Sequence, residues 1–77
     1  MTNTFETYDE FEDSVTEGVR SVMNECPNSN DNVIIELCLI NFYQDGEAEF
    51  YHKTYPDLSD SEVQENLTSF IQDIIDE

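Results

Sequence analysis

Positive charge is what this sequence most lacks. One Arg and one Lys stand against 19 Asp and Glu in 77 residues, for a net charge of −17. A surface of that sign is repelled by nucleic acid and by anionic membrane, which argues against direct binding to either. A basic protein surface is its natural counterpart. Long apolar runs are missing as well. The longest, residues 33–43, is interrupted by Glu36 and Asn41 and falls far short of a membrane span. The amino-terminal stretch has neither the positive start nor the apolar core of a signal peptide. The expectation is a soluble cytoplasmic protein.

Other absences narrow the chemistry. Two Gly cannot build a glycine-rich phosphate loop. One His and two Cys share no zinc-ligand spacing. Asn28, Asn30 and Asn32 imitate the first ligand positions of a calcium loop, but Val33 stands where that loop needs Gly and Leu39 where it needs Glu. No metal or cofactor is expected. No Ser or Cys sits in a nucleophile setting, and the carboxylates fall on solvent faces of helices, so no catalytic residue is expected either. Cys26 and Cys38 are expected as reduced thiols, and His52 as a structural residue near Leu39.

Against the charge stand 38% hydrophobic residues, nine of them aromatic. Their periodicity supports one folded acidic domain over residues 1–77. Thr7 and Glu10 have the spacing of a capping box and open a helix over Tyr8–Glu25. Tyr8, Phe11, Val15, Val19, Val22 and Met23 share an apolar arc of about 120°. Glu6, Asp9, Glu10, Asp13 and Glu17 occupy about 100° on the far side. Gly18 lies at the edge of the stripe, a position that suits the close approach of another element. Pro27 stops the helix. Ser59 and Glu62 form a second capping box, and Val63, Leu67, Phe70, Ile71, Ile74 and Ile75 make the stripe of a last helix beginning near Asp60. Glu62, Glu65, Asp73 and Asp76 sit opposite that stripe.

Between the helices, residues 26–32 read as a loop. Residues 33–43 are rich in β-branched and aromatic side chains, Asp45-Gly46 carries a two-residue hairpin signal, and residues 48–55 return as a second strand. The expected fold class is therefore α+β: a small α-β-β-α domain, with a two-stranded antiparallel hairpin packed against two amphipathic helices. Both helices are expected on the face carrying Leu37 and Phe50. The other face then exposes Ile34, Ile40, Phe42, Tyr51 and Tyr55, an apolar patch suited to a homodimer interface. One helix on each face would leave no such patch.

The acids invite a functional reading. Glu6–Glu10, Asp9–Asp13 and Asp13–Glu17 are like-charge i,i+4 pairs, each costing roughly 0.2–0.5 kcal/mol. Glu25, Asp73, Asp76 and Glu77 lie at helix C-termini, where the helix dipole disfavours them. Solubility needs a net charge of only about 2–8. Carboxylates roughly 5–6 Å apart along a rigid helix have a spacing of the same order as phosphates along a nucleic-acid strand. In size and charge the chain is similar to the small acidic DNA mimics that phages and mobile elements make against restriction, CRISPR and DNA-repair enzymes. The similarity is one of class and carries no motif. It implies a non-enzymatic inhibitor in the host cytoplasm, occupying the nucleic-acid site of a basic protein through Glu6, Asp9, Glu10, Asp13, Glu17, Glu62, Glu65, Asp73 and Asp76. The alternatives are an acidic adaptor or chaperone for a basic protein, or an assembly protein dimerising through its sheet.

Overall fold

The computed structural model describes residues 5–77, and no strand occurs among them. Four helices follow one another: α1 Tyr8–Glu25, α2 Asp31–Asp45, α3 Glu47–Thr54 and α4 Asp60–Ile75. The expected α+β hairpin fold is overturned, and the chain is a small helical bundle. The amino-terminal reading rests in part on residues 1–4, which lie outside the described residues.

The two outer helices form as their local signals dictate. Thr7 Oγ1 accepts from the Glu10 amide at 3.2 Å. The reciprocal half of the expected capping box is displaced by one residue, because the Glu10 carboxylate accepts from the Glu6 amide at 2.9 Å. α1 ends at Glu25 because the residue before a proline avoids the helical region, and Cys26 sits at φ −128°, ψ 61°. The second capping box is complete: Ser59 Oγ accepts from the Glu62 amide, and the Glu62 carboxylate accepts from the Ser59 amide.

Helix α2 replaces the first expected strand. The Asn30 side chain accepts from the Val33 amide at 3.0 Å and opens the helix. Ile34, Cys38 and Phe42 then recur at i, i+4 and i+8 and are buried. Gly46, expected in a hairpin turn, instead ends α2 in the left-handed region at φ 105°. Both jobs require a positive φ that glycine alone adopts cheaply, so the same dipeptide serves either. Helix α3 begins at the next residue and replaces the second strand.

One core joins all four helices. Phe11, Val15, Val19 and Val22 of α1 meet Ile34, Cys38 and Phe42 of α2, Ala48 of α3, and Val63, Leu67, Ile71 and Ile74 of α4. Phe11 is the centre of an aromatic group, 5.2 Å from Phe50 in a stacked pair, 5.8 Å from Tyr51 and 6.2 Å edge-on to Phe70. Gly18 admits a close approach of α2: a Cβ there would lie 3.0 Å from Phe42 Cε1. Its expected role holds.

The expected dimer patch does not survive the change of fold. In a helix, Ile34 and Phe42 turn to the core, 5% and 1% exposed. Tyr51 is half-buried, with its ring 4.9 Å from that of Tyr55. Burial, reinforced by Tyr55 and Tyr51 beside it, pushes the Tyr8 hydroxyl up to about 12. Only Ile40 and Tyr55 remain exposed.

Candidate partner-binding surface

Helix geometry fixes where the acids of α1 point. Successive residues advance about 100° around the axis. Ser14 donates to the Glu47 carboxylate of α3 at 3.2 Å, and Gly18 abuts Phe42 of α2. That side of α1 therefore faces α2 and α3. Glu12 and Thr16 face the opposite way and line a shallow groove against α4. Asp9, Asp13 and Glu17 fall between these two sides, directed away from the core, and are exposed with Glu6 and Glu10. The first helix thus presents its acidic set to solvent as a row.

Glu62, Glu65, Asp73 and Asp76 of the α4 region are also exposed. Asp73 lines the α1–α4 groove together with Glu12, Asn66, Ser69 and Glu77. Carboxylates of two helices share that groove. Asp76 is placed differently: its Oδ1 accepts from Gln72 Nε2 at 3.1 Å, and that same nitrogen donates to Asp31 of α2 at 3.2 Å. Glu12 and Asp31 were not among the acids expected to meet a partner, and Glu77 was expected only as an acid at a helix C-terminus. Glu12 lies beside the apolar stripe on the wheel, so its place at a helix–helix border was readable. Asp31 and Glu77 depend on tertiary packing.

Both side-chain cations already have acidic neighbours. Arg20 meets Glu77 at 3.3 Å, and Lys53 meets Glu49 one turn away at 3.1 Å. Both pairs are well exposed and contribute little stability. Asp9, Glu10, Asp13 and Glu17 have no cationic partner among the described residues. No basic residue occupies the last turn of α1, α2 or α4, so acids stand at the negative ends of three helix dipoles, with Arg20 reaching only Glu77 beyond α4.

One carboxylate stands apart. Glu47 is 3% exposed, and its Oε1 has no hydrogen-bond partner. Burial pushes its carboxyl above the usual range, and nearby Asp45 adds to this. Its own amide and Ser14 hydrogen-bond to the carboxylate and pull the other way. Burial likewise pushes the Cys38 thiol up to about 11. Both cysteines are free.

His52 is exposed. Its Nε2 donates to the Leu58 carbonyl at 3.1 Å, tying α3 to the segment before α4. Among the described residues, no three His, Cys, Asp or Glu side chains converge as a metal site would require. No helix among them is long and apolar enough to cross a membrane. Compared with protein-family models, with curated proteins and with solved structures, the chain has no match in any of the three.

Proposed function

We propose that the chain is a non-enzymatic acidic decoy that occupies the nucleic-acid-binding site of a basic protein and so inhibits it. The observation that supports this reading is the outward row Asp9, Glu10, Asp13 and Glu17, together with the exposed Glu62, Glu65 and Asp73 on α4, with no side-chain cation paired to any of them among the described residues. Carboxylates at i, i+3 and i+4 stand roughly 5–6 Å apart on a rigid support. A site lined by Lys and Arg for phosphates gains from such a row the same salt-sensitive attraction that it gains from a strand. An anti-defence inhibitor, acting on a restriction or CRISPR nuclease, is the setting that best fits a small protein of this charge.

The test is competition. The purified chain is titrated against fluorescent duplex DNA, and separately RNA, bound to a panel of nucleases and repair enzymes at about 0.1 M salt. Displacement that fades as salt rises is expected for one target class. Failure to displace nucleic acid from any of them refutes the reading. Changing Asp9→Asn, Asp13→Asn and Glu17→Gln together is expected to weaken displacement strongly. The same changes remove two like-charge pairs worth roughly 0.2–0.5 kcal/mol each, so the melting temperature should rise. A fall in melting temperature would assign these acids a structural role instead.

A further inference from the structure

The outward face of α2 breaks the pattern of the rest of the surface. Val33, Leu37, Ile40 and Tyr43 are 40%, 37%, 52% and 51% exposed, and they fall on the side of the helix opposite the buried Ile34, Cys38 and Phe42. Val33, Leu37, Ile40 and Gln44 follow one another at steps of four, three and four, the spacing of a helix-pairing seam. Acidity is withdrawn from this face. Of the three carboxylates on α2, Asp31 is held toward α4 by Gln72, and Asp45 lies at the α3 junction beside Glu47. Only Glu36 borders the seam. In a chain of net charge −17, an exposed apolar seam with one carboxylate at its edge is the surface that water least accommodates.

From this we infer that α2 is a self-association surface, and that its occupant is α2 of a second copy of the chain. The charge pattern favours that occupant. In an antiparallel two-fold pairing, Leu37 lies opposite the second copy's Ile40, and Val33 opposite its Gln44. Glu36 then falls beside the second copy's Tyr43, and the two Glu36 side chains are offset by about 7.5 Å along the axis. No carboxylate faces another across the seam. Asp9 and Asp13 of α1 are directed away from the side that Ser14 and Gly18 turn to α2 and α3, and Asp73 lies in the groove between α1 and α4. A basic partner would find only Glu36 to engage on this seam.

The inference predicts a salt dependence opposite in sign to that of decoy binding. Salt screens the residual repulsion between two copies, so the dimer strengthens where binding to a basic target weakens. The two readings therefore fail independently. Sedimentation equilibrium on the full chain over about 5–200 µM, at about 0.1 M and 0.5 M NaCl, tests it. The expected result is a monomer–dimer equilibrium whose Kd falls as salt rises. Leu37→Gln combined with Ile40→Gln is expected to leave monomer throughout. If that double variant loses its helical circular dichroism, Ile40→Gln alone, at a side chain outside the core, is expected to raise Kd roughly tenfold. Three results overturn the inference: monomer at every concentration in high salt, a dimer indifferent to these substitutions, or a dimer that salt weakens.

Discussion

Replacing Gly18 with Ala sets two opposed effects against each other at one atom. In an ordinary helix interior the change stabilises by roughly 0.5–1 kcal/mol, because glycine surrenders more backbone freedom on folding. Here the new Cβ would lie 3.0 Å from Phe42 Cε1, where carbon atoms prefer about 3.5–4.0 Å. Relief requires several tenths of an ångström of movement. Phe42 is 1% exposed and among the largest fully buried side chains, so its ring has nowhere open to go and α1 must move off α2. Overpacking of that kind costs about 1–3 kcal/mol. The net expectation is a loss of about 1 kcal/mol, or roughly 4–8 °C in a domain of this size. Urea unfolding followed by circular dichroism measures it. In a Phe42→Leu background the clashing ring carbon is gone, and the same Gly18→Ala change should stabilise. The two substitutions should therefore couple by more than about 1 kcal/mol, beyond the 0.3–0.5 kcal/mol seen for independent sites. If Gly18→Ala stabilises the wild-type chain, the close α1–α2 approach is wrong.

Three further outcomes are expected. The Glu47 carboxyl is raised in the folded state, so its penalty is absent below the ordinary Glu value near 4.3 and complete once pH exceeds the folded value. Glu47→Gln should therefore raise the melting temperature at pH 7.5, by the equivalent of about 1 kcal/mol for a buried unpaired oxygen, and the gain should vanish toward pH 4; a pH-independent gain contradicts the assignment. Cys38, buried with its thiol near 11, should resist a thiol reagent at pH 8 until the chain unfolds, whereas the half-buried Cys26 reacts first. Equal labelling rates would show that α2 is not packed. Ser59→Ala removes half of the complete capping box and should cost about 1 kcal/mol in urea unfolding, with helix α4 losing amide-exchange protection first.

The ends of the chain were legible, and the middle was not. Helix α1 has the expected limits, and α4 begins at Asp60 as Ser59 and Glu62 require. Each carries one apolar stripe against a polar remainder, which is the pattern that periodicity detects. Helix α2 is apolar on both its core side and its outer side, so no period of 3.6 stands out from residues 33–43. With the period hidden, β-branched content and Asp45-Gly46 decided for strands, and tertiary packing overrode both. Two signals for a helix were present. Asn30 stands three residues before Val33, as an N-cap should, and eleven residues is long for a strand. The outward direction of Asp9, Asp13 and Glu17 followed from the wheel alone. The shared groove of Glu12, Asp73 and Glu77 did not, because it depends on α1 lying beside α4. The patch expected on Ile34 and Phe42 failed with the strands that produced it. Ile40 was placed correctly outside the core.

Gly46 closes α2 and opens α3 with nothing between, and this leaves the chain without slack at one point. A residue inserted after Gly46 would turn the start of α3 about 100° around its axis. Ala48 and Tyr51 would swing off the core, and Glu47 would lose Ser14. The same insertion among residues 26–30, an irregular connection with mostly exposed side chains, would displace no buried group. Variation in chain length is therefore expected to collect at the first corner of the bundle and to be barred from the second.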